Sequence, residues 1–149
     1  KLHAQGFTNL YGVDNSEHMI KYAPKEIATY FLSNDFPKDQ YEMILCNWTL
    51  HFIENKENYL QSMSDSLTDG GTMILSDKTS KDTEMIKMYH DNKLKLGVTK
   101  EVIEEKQKQL EKVMFINSAE WYHQKLSELG FTVTVMDADW CFTTFLCKK

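Results

Sequence analysis

The sequence predicts an α/β domain with a mostly parallel sheet, and three observations support that reading. Short apolar runs alternate with helical patterns along most of the chain, an order that implies right-handed crossovers. The run Tyr41-Glu42-Met43-Ile44-Leu45-Cys46 is nearly continuous in apolar character, as expected of a parallel strand covered on both faces. The segment Tyr11-Gly12-Val13-Asp14-Asn15-Ser16 ends a short strand on an acid and starts a helix at once, with Ser16 as its cap. Nucleotide-binding α/β domains present a carboxylate to ribose hydroxyls in this way.

The elements follow in order. Leu10 to Val13 reads as a strand, Glu17 to Tyr22 as a short helix stopped by Pro24, and Ile27 to Leu32 as a second strand. After the Asn34–Asp39 loop and the strand at residues 41–46 comes Asn47-Trp48-Thr49-Leu50-His51-Phe52-Ile53. A helix is expected from Lys56 to Leu67, with Tyr59, Leu60, Met63 and Leu67 at helical spacing. Gly70 and Gly71 then close that helix before a strand from Thr72 to Leu75.

Residues 81–114 differ in character, with many Lys and Glu residues and Gly97-Val98-Thr99 separating two helices. Met85, Met88 and Tyr89 form one prospective apolar stripe, and Val102, Ile103, Lys106, Leu110 and Val113 another. Such an insertion is either a substrate cap or a solvated helical hairpin that packs for stability. Asn117 with Glu120 has capping-box spacing for a last helix faced by Trp121, Leu126 and Leu129. Phe131 to Met136 and Trp140 to Leu146 read as strands paired antiparallel through Asp137-Ala138-Asp139.

Composition narrows the function classes. The 149 residues make one domain, large enough to bury a core, with 42% hydrophobic residues. A net charge of −5, from 22 acidic and 17 basic residues, argues against a broad nucleic-acid surface. Cys46, Cys141 and Cys147 lie within apolar runs and match no zinc spacing, so buried, reduced thiols in a cytoplasmic protein are expected and no metal site is. No apolar run reaches the roughly 18 residues of a membrane span.

Three segments carry a resemblance: Gly12-Val13-Asp14-Asn15-Ser16 with Met19-Ile20, Asn47 to Phe52, and Asp69-Gly70-Gly71-Thr72-Met73-Ile74-Leu75-Ser76. In this order they resemble the later part of a Rossmann-like S-adenosylmethionine-dependent methyltransferase. The match is closer to the carboxy-S-adenosylmethionine synthase family, which supplies the carboxymethyl donor for a tRNA wobble uridine. It runs from Met88-Tyr89-His90-Asp91 through Gly97 to Met114, then through Ser118-Ala119-Glu120 and Gly130-Phe131. The resemblance implies a Rossmann-like methyltransferase fold with an antiparallel C-terminal strand and a helical insertion. No glycine-rich loop lies upstream of Leu10 and the chain begins at Lys1, so the first strand and its loop are expected to be lacking and cofactor binding to be weak or absent.

The resemblance assigns S-adenosylmethionine as cofactor and suggests its contacts. Asp14 would accept hydrogen bonds from the ribose diol, where the alternative is a helix cap. Asn15 would lie beside the same cofactor, Asp35 would meet the adenine, and Asn47 would face the methionine portion. Trp48 and His51 are weaker candidates, and His51 is read as structural. The synthase family places an Arg in the cap against the carboxylate of its unusual cofactor, and alignment puts Gln107 there, between Lys106 and Lys108. A Gln cannot form the charge-assisted fork that Arg gives a carboxylate, which favours ordinary S-adenosylmethionine.

A methyltransferase with no acceptor legible in the sequence is therefore the leading expectation. Carboxy-cofactor synthesis and a non-catalytic, homodimeric interaction domain are the alternatives. Catalytic residues are not assigned, and direct binding to nucleic acid or membrane is not expected.

Overall fold

The computed structural model describes residues 2–149, which fall into two units, one ending at Asp39 and the other spanning Gln40–Lys149. The first unit contains a 3-10 turn at His3–Gln5, strand β1 (Tyr11–Asp14), helix α1 (Glu17–Tyr22) and strand β2 (Thr29–Leu32). β1 and β2 pair in parallel, with Tyr11 opposite Thr29 and Asp14 opposite Leu32. Ser16 caps α1 as expected, its hydroxyl accepting from the Met19 N–H at 3.3 Å. The helix stops at Ala23, whose extended ψ of 139° is the conformation a following proline enforces. β2 begins at Thr29 and not at Ile27, because the Ile27 N–H is taken by Pro24 O in a turn. Gly12 is fixed by packing: a Cβ there would lie 2.6 Å from the ring of Tyr30, its cross-strand partner.

The second unit runs β3 (Tyr41–Asn47), a 3-10 turn (Leu50–Phe52), α2 (Lys56–Asp65), β4 (Leu67–Lys78), α3 (Thr83–Lys95) and α4 (Lys100–Leu110). It ends with α5 (Ala119–Glu128), β5 (Thr132–Asp139) and β6 (Phe142–Lys148). The sheet order is β3-β4-β6-β5, with β3 parallel to β4 and the C-terminal strand β6 antiparallel to both neighbours. Leu60, Met63, Met73, Leu75, Leu126 and Phe145 are fully buried at its core. Each such side chain contributes about 1.5–3 kcal/mol relative to an exposed one.

Several boundaries differ from the sequence reading. β3 is not covered on both faces: Ile44 and Cys46 are buried, whereas Met43 and Leu45 are 45% and 43% exposed. β3 is the edge of its sheet, and its side chains alternate between a covered and an open face. α2 ends at Asp65, with Leu67 already opening β4 and the glycines inside that strand's span. Gly71 is required there, since a Cβ would lie 2.7 Å from Leu67 Cγ and 2.8 Å from Thr68 O.

Ser118, not Asn117, caps α5 by accepting from the Trp121 N–H, and Tyr122 rather than Trp121 turns into the core. Asp139 pairs with Phe142, so the β5–β6 hairpin turns at Trp140 and Cys141, with Trp140 at φ 50°, and not at Asp137–Asp139. On α3 the expected stripe is largely exposed at Met85 and Met88, and on α4 only Ile103 is buried. Among the described residues no helix is long and apolar enough to cross a membrane, and no group of three or more His, Cys, Asp or Glu side chains is placed to hold a metal.

Candidate functional site

The carboxyl ends of parallel strands are where open α/β sheets take ligands, and both units place polar side chains there. In the first unit Asp14 is the last residue of β1 and is half-buried. Its Oδ1 accepts the Ser16 N–H at 2.8 Å in a turn that leads into α1, whose cap is Ser16 itself. None of the described residues hydrogen-bonds Oδ2, and each carboxylate oxygen has two lone pairs, so the group retains capacity for hydroxyl donors. Asn15 donates from Nδ2 to Asn34 Oδ1 at 3.2 Å, joining the ends of β1 and β2. Asp35 is exposed in the same loop, its N–H donated to Ser33 Oγ at 3.0 Å. Asp14, Asn15 and Asp35 thus gather at one end of the β1–β2 pair.

In the second unit Asn47 ends β3 opposite Ser76 of β4, and its side chain is exposed. Trp48 follows with φ 54°, a left-handed conformation sparsely populated by non-glycine residues. Its N–H donates to Ser76 O at 2.7 Å, and its ring lies 5.8 Å from Phe142 while remaining 63% exposed. Thr49 Oγ1 closes the turn on Asn47 O at 3.1 Å.

Below this turn lies a buried polar cluster that the sequence reading missed. Asp77 is 1% exposed; its Oδ1 lies 2.6 Å from His51 Nδ1 and its Oδ2 accepts the Tyr122 hydroxyl at 2.6 Å. Tyr122 is held well above the usual phenol range, by burial first and then by the Asp77 charge. The Cys46 thiol is pushed up to about 12 by burial and by the same charge. Buried Lys56 is lowered, chiefly by desolvation, and donates to the Ile53 and Phe115 carbonyls. The one sequence signal for this cluster is an acid, Asp77, directly following the apolar run Met73-Ile74-Leu75-Ser76.

Gln107 lies within the α3–α4 hairpin, where its Nε2 donates to Glu111 Oε1 at 2.7 Å. His90 is lowered by burial and by the Lys93 and Lys78 charges. Lys106 and Lys108 are exposed. Tyr89 joins the hairpin to the sheet, its ring 5.3 Å from Phe142 and 5.8 Å from Trp140, with Lys93 Nζ 4.1 Å above it. All three cysteines are buried and unpaired.

Comparison with known proteins agrees with this layout. A family model described as a methyltransferase domain matches residues 1–135. Carboxy-S-adenosyl-L-methionine synthases of Campylobacter hominis and Wolinella succinogenes are 28% and 32% identical over 94% of this chain. The chain spans 67% and 65% of those two proteins. An S-adenosylmethionine-dependent methyltransferase from Mesorhizobium loti superposes with a TM-score of 0.69 at 16% identity, covering 99% of this chain and 83% of that one. Magnesium protoporphyrin IX methyltransferase from Synechocystis, solved with bound SAH, gives 0.66 at 14% identity, over 98% and 66%. With a family match along most of its length and this fold, the chain belongs to the methyltransferase domain family and has the architecture of S-adenosylmethionine-dependent methyltransferases.

Proposed function

We propose that the protein is an S-adenosylmethionine-dependent methyltransferase. The observation that carries the reading is Asp14, half-buried at the tip of β1 and still able to accept through Oδ2. That capacity fits a ribose diol. Asn15 and Asp35 stand at the same strand ends and would meet the nucleoside; the role of Asn47, in the other unit, toward the amino-acid portion is carried by the family resemblance alone. When bound, the cofactor supplies a methyl group activated by its sulfonium charge. This chain's residues have to orient the acceptor and exclude water from it, work in which positioning dominates. The helices of residues 81–114 are assigned as the acceptor's cap.

Carboxy-cofactor synthesis is the less favoured reading. Gln107 is a neutral amide already engaged by Glu111, and it offers no cation to a carboxylate. The buried, unpaired thiols support a reducing compartment such as the cytoplasm. A second reading, a homodimeric interaction domain, draws on the open face of Met43 and Leu45 on the edge strand β3; light scattering distinguishes dimer from monomer.

Calorimetry with S-adenosylhomocysteine tests the main reading. Asp14→Asn keeps an acceptor for the Ser16 N–H but halves the acceptor capacity, and should weaken binding about tenfold, equivalent to about 1.4 kcal/mol. Equal affinity for both proteins would refute it, as would absence of binding both by this chain and by a version extended at its N-terminus with a glycine-loop segment.

A further inference from the structure

We propose that Nε2 of His51 is the proton-accepting atom of this site, serving an acceptor whose nucleophilic atom carries an exchangeable N–H or O–H hydrogen. The inference rests on the methyltransferase reading. It begins with what each nitrogen of His51 can do. Nδ1 is 2.6 Å from Asp77 Oδ1, and the other carboxylate oxygen already accepts the Tyr122 hydroxyl. A carboxylate only accepts, so Nδ1 carries a proton, and in the neutral tautomer that this contact selects the lone pair lies at Nε2.

Nε2 has no hydrogen-bond partner among the described residues. No buried side-chain nitrogen or oxygen among them lacks such a partner. Nε2 is therefore not sealed within the core, although the His51 side chain as a whole is only 7% exposed.

The placement is also specific. His51 lies four positions past Asn47, the last residue of β3, and Asp77 directly follows Ser76, the partner of Asn47 across the β3–β4 ladder. The pair thus sits at the carboxyl end of parallel strands. Its segment is pinned independently of the imidazole, by the Trp48 N–H on Ser76 O and by the Phe115 N–H on His51 O, both at 2.7 Å. Asp77 and Tyr122 act through His51, as positioning residues.

The chemistry balances without any further reactant. The acceptor's lone pair forms the new bond to the methyl carbon, and the carbon–sulfur bonding pair remains on sulfur. The acceptor's hydrogen leaves as a proton to Nε2, making an imidazolium paired with the Asp77 carboxylate. Release of that proton to water restores the neutral ring.

Two measurements on the full 149-residue chain test this. Long-range proton–nitrogen NMR of the labelled protein should show His51 protonated at Nδ1 and bare at Nε2. Asp77→Asn, whose amide can donate as well as accept, should mix the tautomers, and Asp77→Glu should restore the original one. A wild-type ring protonated at Nε2 overturns the proposal without any variant having to fold. The second measurement is carbethoxylation by diethyl pyrocarbonate, mapped by peptide mass spectrometry with the exposed His3, His18 and His123 as internal references.

With S-adenosylhomocysteine at roughly ten times its Kd, His51 should react about tenfold more slowly, the factor 1 + [L]/Kd, while the references are unchanged. Calorimetric binding without protection overturns this inference alone. Absence of binding both by this chain and by an N-terminally extended version overturns the methyltransferase reading, and this inference falls with it.

Discussion

Replacing Tyr122 by Phe isolates one hydrogen bond in the middle of the second unit. The substitution removes a hydroxyl and leaves the ring against Phe145, whose centroid is 6.0 Å away. The lost bond is 2.6 Å long, and its two residues are 0% and 1% exposed, so water cannot readily take the missing donor's place. Hydrogen bonds to charged groups contribute about 1.5–3 kcal/mol, and an acceptor left unsatisfied in the core places the cost in the upper part of that range. The expected destabilisation is therefore about 2–3 kcal/mol, against a total stability of about 5–15 kcal/mol. The variant should fold, with a urea midpoint lowered by about 0.7–3 M for slopes of about 1–3 kcal/mol/M.

Tryptophan fluorescence reports the right region, because Trp48, Trp121 and Trp140 all lie in the unit that starts at Gln40. His123→Ala, at an exposed neighbouring position of α5, should stay within about 0.5 kcal/mol of the parent. In an Asp77→Asn background the Tyr122→Phe change should cost less, with a coupling energy of about 0.5–3 kcal/mol. A single-variant loss below about 0.5 kcal/mol, or strict additivity in the cycle, would refute the assignment of Asp77 as the charged hub.

Two further expectations follow from the buried groups. Cys46 and Cys147 are each raised from 9.0 to about 12, mainly by burial, so the unfolded chain loses these protons first. Their contribution to stability is fully present below pH 9.0 and disappears as pH rises through about 12, so urea midpoints should fall across that window and Cys147→Ala should flatten the decline. Lys56→Met keeps an apolar stem but deprives the Ile53 and Phe115 carbonyls of their donor, and should destabilise by about 1–3 kcal/mol in the same assay.

Elements whose signal is local were legible in the sequence. Ser16 sets the start of α1 and Pro24 its end, and both act within a few residues of where they stand. The β5–β6 hairpin was recognised from two apolar runs, but its turn was displaced to Trp140 and Cys141. Acids at Asp137 and Asp139 suggest a loop, yet they sit in a paired strand that is exposed at those positions. The same kind of error affected Gly70 and Gly71. Glycines ordinarily signal a helix end, but here Ser66 provides the stop and Gly71 is needed for close approach to Leu67. Coverage of β3 could not be read from its composition, because an apolar residue is compatible with either face of a strand. Only the position of the strand at a sheet edge decides that Met43 and Leu45 are open.

The site divides along the same line. Asp14 and Asn47 stand at strand ends, and strand ends are readable from hydrophobic runs, so their placement could be anticipated. His51 could not be read, because its chemistry depends on partners 26 residues away at Asp77 and, through that carboxylate, on Tyr122 a further 45 residues along. Taken singly, each has an ordinary explanation: a polar residue in a turn, an acid near a strand terminus, an aromatic on an amphipathic helix. Function enters only through the direction of donation. Tyr122 has a single hydroxyl proton and occupies Oδ2; Asp77 then has Oδ1 left for His51, and His51 has only Nε2 left for whatever approaches from outside. Removing either partner relaxes that order without emptying the site. A proton on Nε2 of the neutral ring would therefore rule out that nitrogen of His51 as the atom that takes one.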